Sequence, residues 1–468
     1  MIINPYRFAA GATPPAPLHW WDLTDTKADG LWDFGSGEFG LLTTSSAGVT
    51  VEADQPDGAG DCIEFDNSGA IDGYVYALQD KSWDGAGNDI SISCWIAFPT
   101  GSTFIGKPFF SWYNTTPDDR LVVLNVAAAT EAWLATFYDT GTNEVEALDQ
   151  FEDPVADGRW YHVVATYNGT TDTASLYVDN TFIDSTTNAS MGALEDQPMP
   201  LAIGARADLP TTTGIDARMF SLSIYDKVLD ADERSTLYNG GNGGTYADYF
   251  GATAIGTNPT TTDLFAWWKL EDVNDAHGSN TLTNNGTTTF TAGYNDNAAT
   301  FNGSSQYLSV AANGVFPTGA QTWACWIKVG TVGATQDCMT WWGASGQRTM
   351  TLLQLSAGEI VVAVTGDGST VINAQSTLTV PAGTWVHVAA VYVPSTSLTL
   401  YINGTQADQD TTSVPSALHD STTDFAIGAR AVPSNYFDGQ VDDACIFSKA
   451  LSADEVQWLV HNTYADLT

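Results

Sequence analysis

Basic residues are scarce: Lys and Arg number 15 against 55 Asp and Glu, for a net charge of −40. That excludes a protein that grips DNA or RNA through phosphates, since such affinity comes mainly from cations neutralising the backbone. The acids are spread along the chain rather than gathered in blocks. Solubility in salty water, where screening is short-ranged, is one consequence. Capture of a divalent cation by neighbouring carboxylates is the other reading, although no D-x-D-x-D-G loop is present. No apolar run is long enough to span a membrane, and the opening MIINPYRFAAGATPPAP lacks the apolar stretch of a secretory signal. Five cysteines, Cys62, Cys94, Cys325, Cys338 and Cys445, form no close C-x-x-C pair and leave one over. This argues against a disulfide framework or a zinc ribbon. Cys94 and Cys325 read as small buried hydrophobes in preference to reactive thiols. Folding in a reducing cytoplasm is the expectation these absences give together.

What the chain does have is a repeat. LAIGARA from Leu201 reappears as FAIGARA from Phe425, RWYHVVATY from Arg159 as TWVHVAAVY from Thr384, and SLYVDN from Ser175 as TLYING from Thr399. SCWI from Ser93 matches ACWI from Ala324, Trp20 and Trp21 match Trp267 and Trp268, and TYAD occurs at Thr245 and Thr463. Because the pairs keep one order and a nearly constant separation, the chain is two copies of a unit of about 200 residues. The boundaries read as an extended N-terminal arm over 1–17, a first domain over 18–245, a linker over 246–262 and a second domain over 263–468. The arm carries Ile2, Ile3, Tyr6 and Phe8, too few apolar groups for a core, then Pro14, Pro15 and Pro17, which favour an extended segment.

With 43% hydrophobic and 12% aromatic residues each copy can bury a core, and 43 glycines among many Thr, Ser, Asn and Asp suit short strands joined by turns. In TWVHVAAVYV, Trp385, His387, Ala389 and Val391 fall on one face and Val386, Val388, Ala390 and Tyr392 on the other. Both faces are apolar, as inside a sandwich. Helical periodicity is confined to DADERSTLY near Asp230 and SADEVQWLV near Ser452, each opening on a capping residue with acids in its first turn.

These motifs in this order, Trp-x-His-Val, then Leu-Tyr-Val/Ile, then Ile-Gly-Ala-Arg, then Asp before Ile-Tyr/Phe-x-Lys-x-Leu and an acidic helix start, resemble the laminin-G-like, concanavalin-A-like lectin and glucanase superfamily over nearly all of both repeats. The resemblance implies an all-β protein of two tandem antiparallel jelly-roll β-sandwiches with short closing helices. It does not fix function, because that fold carries lectins, glycosidases, adhesion modules and structural units. The opening MIINPYRF with its Pro-rich arm also resembles the starts of tailed-phage structural proteins. The expectation is a non-enzymatic virion surface protein, made in the host cytoplasm, whose arm docks on other virion proteins and whose two lectin-like domains decorate the particle or attach to host-surface glycan, with a homo-oligomer compatible. A secreted carbohydrate-active enzyme or its binding module is the alternative, and a structural spacer the third.

The glucanases of that superfamily need a tight Glu-x-Asp-x-x-Glu strand, and none exists. Glu131, Glu144, Glu146 and Glu152 read as scattered among loops and turns. No Gly-x-Ser-x-Gly turn accompanies His162 or His387, which match each other inside core strands and read as structural. Sugar binding needs aromatic faces beside hydrogen-bonding groups. The candidates are Trp112 and Tyr113 in SWYNTTPDD, Trp341 and Trp342 in TWWGASGQR, and Asn435 with Tyr436 in PSNYFDG; core packing is the competing reading of the four paired aromatics. The last long strand, FDGQVDDACIF, places Asp438 and Asp442 on one face as candidates for a cation such as calcium, whereas the first copy has Phe220 and Ser221 where the second has Asp442 and Asp443.

Overall fold

In the computed structural model the described residues are 14–25, 31–35, 42–44, 48–58, 60–67, 73–78, 83, 85, 87–102, 106–115, 118–127, 132–141, 143–149, 158–207, 213–251, 255–312, 314–430 and 434–467. Most of the proposed arm, residues 1–13, lies outside them. The chain divides into two compact units, residues 1–253 and 254–468. Among the described residues each unit holds one eight-stranded and one seven-stranded sheet, all pairings antiparallel, which is the two-layered all-β sandwich that the strand patterning requires.

In the first unit the eight-stranded sheet is centred on Ile90–Ala97, between Trp160–Asn168 and Ala217–Tyr225, with His19–Trp21 pairing with Ala217–Tyr225. The seven-stranded sheet runs in the order Glu144–Leu148, Trp133–Tyr138, Asp118–Val126, Pro108–Thr115, Leu201–Ile203, Val75–Tyr76 and Thr43–Thr44. The second unit repeats both: Gln321–Val329 lies between Trp385–Val393 and Asp438–Phe447, joined by Leu264–Trp268. Its seven-stranded sheet is ordered Thr283–Asn285, Tyr307–Val310, Phe425–Ile427, Gln336–Trp342, Arg348–Gln354, Glu359–Val364 and Ile372–Thr379.

Large indoles are buried on both faces of the eight-stranded sheets, Trp20 and Trp267 under the helical segments and Trp21 and Trp268 on the opposite face. Trp20, Trp21, Trp112, Trp267, Trp268, Trp323, Trp326 and Trp341 are all fully buried, and burying side chains of this size supplies most of the favourable free energy of folding. The two anticipated helices form at Ala231–Tyr238 and Ala453–His461. Each starts with a capping box, Asp230 with Glu233 and Ser452 with Glu455, in which the cap side chain accepts a backbone N–H and the glutamate answers it. The stretch read as a linker is partly structured. Thr245 caps a short helix, Tyr246–Phe250, whose rings meet Trp20 at centroid distances of 6.0, 5.6 and 6.0 Å. Residues 246–250 are therefore packed onto the first sandwich, because a ring cluster on an indole buries more apolar surface than an extended linker would.

Candidate functional site

Each paired aromatic splits across its sheet. Trp112 and Trp341 point into the core, edge-on to Trp83 at 6.2 Å and to Phe316 at 6.0 Å. With no exposed surface, neither can stack on a sugar; core packing claims these two. Their neighbours Tyr113 and Trp342 face outward. In both copies the register with the next strand slips between the two aromatics, a bulge that re-aims a side chain at the end of a ladder.

Across that bulge an arginine lies opposite each outward ring. Arg120 pairs with Tyr113, its guanidinium 5.1 Å from the ring centre, and Arg348 pairs with Trp342 at 5.6 Å. A second arginine comes from the duplicated Ile-Gly-Ala-Arg segment. Arg206 stands 5.4 Å from the centre of the same Tyr113, and Arg430 lies beside the carboxylate of Asp337 at 3.3 Å. In the first unit Tyr138 completes the group, 5.3 Å from Arg120. Tyr113 and Trp342 are only 7% and 5% exposed, so a ligand reaching either face meets the guanidinium resting on the ring. Cations held this way gain from the ring quadrupole and keep their N–H donors available. Sequence reasoning did not single out these four arginines. The signal was present, since GAR recurs in both repeats and the chain has only eight arginines in all.

The outward face of the second unit can be followed across the sheet. Trp342, Leu353, Val361 and Ala363 form a hydrophobic cluster of their own on this side. Thr340 pairs with Thr351 and Ala426, and Asp337 with Leu353. Thr351 donates its hydroxyl to Asp337 at 2.7 Å. Burial pushes the Asp337 carboxyl above the ordinary range, with Arg430 opposing the shift. The candidates Asn435 and Tyr436 belong to this edge: the Asn435 carbonyl accepts the Asp337 backbone N–H at 3.0 Å, and the half-buried Tyr436 ring lies 6.4 Å from Tyr307. The Nε of Arg348, the Nε of Arg430 and the hydroxyl of Thr340 are buried without a hydrogen-bond partner. Trp342 ends the strand Gln336–Trp342, whereas Asn435 and Tyr436 lie in the loop at its other end, where Asn435 meets Asp337, and Tyr113 holds the place of Trp342 in the first unit.

Asp438 and Asp442 share a face of their strand but not a site. Asp438 accepts the hydroxyl of Thr331 at 2.6 Å. Asp442 is fully buried and accepts three backbone N–H groups, from Tyr294 at 2.8 Å, Asn295 at 2.9 Å and Asp443 at 2.9 Å. The two carboxylates have no partner in common, and among the described residues no group of three His, Cys, Asp or Glu side chains is arranged to hold a metal ion. Asp442 pins the turn that lays Tyr294 on Trp326, ring centres 3.6 Å apart.

Both strand histidines are buried, and burial pushes each down to about 3, so they are neutral. His162 shares a 2.8 Å hydrogen bond with Ser93 and stacks on Trp95. The glutamates need a correction. Glu144 and Glu146 are not scattered: they alternate outward on the edge strand Glu144–Leu148, over a cleft of about 470 Å³ that Asp184 also lines. Edge strands carry charge outward because it discourages pairing with another chain. Both side chains are exposed to water. Glu131 and Glu152 lie outside the described residues.

The sequence profile described as "Concanavalin A-like lectin/glucanases superfamily" matches residues 67–233 and 302–457. The chain belongs to this superfamily. Each of its two superfamily domains therefore carries one aromatic–arginine face. Among solved structures the chain is similar to the binding domain of botulinum neurotoxin DC in complex with SialylT, with 10% identity, 92% of this chain and 94% of that one covered and a TM-score of 0.37. It is similar also to domains LG4-5 of the mouse laminin alpha1 chain, with 14% identity, coverages of 87% and 92% and a TM-score of 0.26. A third, domain 4 of an extracellular arabinanase from Geobacillus stearothermophilus in complex with arabinotriose, has 20% identity, coverages of 42% and 98% and a TM-score of 0.36. At such scores none of the three bears on what this superfamily member binds. No curated protein matches it.

Proposed function

We propose that the chain is a non-enzymatic glycan-binding protein with one binding face per domain, on the outward side of each seven-stranded sheet. The observation that carries this reading is the recurrence of an outward aromatic with a cross-strand arginine, Tyr113 with Arg120 and Trp342 with Arg348, at the same bulge in both copies. The ring holds the guanidinium in place, and the guanidinium gives a sugar's oxygens fixed donors. Two faces on one chain raise the avidity for a surface rich in repeated sugars without any new contact.

The reading extends to place. The chain is displayed on the outside of a phage-like particle, as capsid decoration, head fibre or tail fibre, with residues 1–17 against other virion proteins. Its support is the resemblance of MIINPYRF and the Pro-rich segment after it to virion proteins. Immunogold labelling of purified particles tests the placement, and particles that never carry the chain discard it. The binding itself is tested by screening the full chain on a broad saccharide array. Retention of sugars that falls on Trp342→Ala and Tyr113→Ala is expected, and retention of no saccharide overturns the reading.

A further inference from the structure

Among the described residues Arg348 makes no ion pair in a chain with 55 acidic side chains. Its guanidinium rests 5.6 Å above Trp342, with Nε buried and unpartnered. One residue before the indole's own neighbour, on the same outward face, the buried hydroxyl of Thr340 also has no partner. Two buried donors beside one ring mark a place where an acceptor is missing, since an unsatisfied buried polar group costs about 1–3 kcal/mol. On the same sheet the protein shows which acceptor suits such a guanidinium: the side chain set against Arg430 is the carboxylate of Asp337.

Resting on the glycan-binding reading, we infer that the ligand is an acidic saccharide, bound with its carboxylate on the cross-strand arginine that the aromatic ring supports, at Arg348 on Trp342 and at Arg120 on Tyr113. A neutral sugar would be served by the many Asn, Ser and Thr donors of this composition. An arginine is specifically suited to an anion, because its planar fork presents two parallel donors to the two oxygens of a carboxylate. Placement repeats the point. Four of the chain's eight arginines, Arg120, Arg206, Arg348 and Arg430, occupy matched positions on these two sheets. A protein of net charge −40 repels polyanions at long range, so local cations are what an acidic ligand requires at contact.

The test uses the full chain on an array carrying sialyl- and glucuronyl-terminated oligosaccharides, their neutral parents and their sulfated counterparts, followed by calorimetry with the best carboxylated binder. Binding confined to the carboxylated sugars is expected. Arg348→Gln and Arg120→Gln should each weaken one of two sites, and together lower overall affinity by about tenfold or more. Thermal melts of the variants show that the sandwiches stay folded. Equal binding of acidic and neutral sugars, unaffected by both variants, overturns the acidic ligand while leaving glycan binding intact. Binding of sulfated sugars alone overturns the carboxylate. Binding of no sugar overturns the glycan reading itself.

Discussion

Trp267 donates its indole N–H to the carboxylate of Asp443 at 2.8 Å, and the equivalent Trp20 donates to Asp22 at the same distance. The two copies satisfy the same buried donor from different places, the first from the residue after the strand His19–Trp21 and the second from the strand Asp438–Phe447. The second has Lys269 where the first has Asp22, and the first has Ser221 where the second has Asp443. Ser221 and Asp443 are both at positive φ, 51° and 43°, in the same bulge of the last strand. Each acceptor recruits something further: Asp22 takes the backbone N–H of Tyr246 at 2.6 Å, and Asp443 the side-chain amide of Asn295 at 2.8 Å.

A double-mutant cycle tests this exchange of acceptors. Asp443→Ser should destabilise the second unit by about 1–3 kcal/mol, the cost of a buried N–H left unpaired. Lys269→Asp alone sets a second carboxylate near Asp443 and should also destabilise. The double variant rebuilds the arrangement of the first unit, so denaturant melts should show a favourable coupling of about 1 kcal/mol or more. Additive losses would mean that the two positions do not exchange roles.

The same cycle explains what could be read from the sequence. The repeat, the strands and the capped helices follow from local pattern, because Asp230, Glu233, Ser452 and Glu455 act within one turn of chain. The roles of Phe220 and Asp442 depend on residues far away. Phe220 packs with Cys62 on Trp95, and Asp442 holds a turn about 150 residues earlier so that Tyr294 covers Trp326. Both choices cover the same indole, one by apolar contact and one by an anchored loop. The faces were legible only in part. Two aromatics in a row say that one is inward and one outward, but the bulge decides which, and the arginines come from two other strands and a loop.

Stability should depend on pH differently in the two units. Burial, with Asp443 beside it, pushes the Asp442 carboxyl from 3.8 up to about 8, and burial pushes Asp22 up to about 6. A carboxyl that binds its proton more tightly when folded stabilises the fold at low pH. That contribution is lost as pH rises from the unfolded value through the folded one. For Asp22 the loss is complete near pH 6, and for Asp442 it continues to pH 8, at up to about 1.4 kcal/mol per pH unit for one group. Scanning calorimetry between pH 6 and 9 should show one transition moving down, and Asp442→Asn should flatten it. A wild-type chain whose transitions do not move over this range would reject the assignment.

Calcium offers a separate check on the last strand. Three backbone N–H groups already occupy the Asp442 oxygens, and a hard cation needs several oxygens at once. Adding calcium or a chelator should therefore leave the melting temperature of the full chain unchanged. A rise in calcium that disappears in Asp442→Asn would show that the ion displaces those donors, since a ligand of the native state alone stabilises it.

The adjacent tryptophans of the second unit should part company on substitution. Trp341 is wholly buried, its indole N–H donated to the Thr423 carbonyl at 2.9 Å. Trp341→Ala should cost about 3–5 kcal/mol, the range for emptying a large core site. Trp342 packs on Leu353, Val361 and Ala363 on the other side of the sheet, under Arg348. Its neighbours can close over the gap, so Trp342→Ala should cost about 1–3 kcal/mol. Saccharide binding should respond in the opposite order. Trp342→Ala removes the surface on which Arg348 rests and should abolish the second-unit site while that unit stays folded. Trp342→Phe keeps a ring there and should retain part of the affinity. Melts and binding isotherms on the same samples decide it: a Trp342→Ala protein that binds as wild type places the sugar elsewhere, and one that loses fold and binding together returns Trp342 to the core.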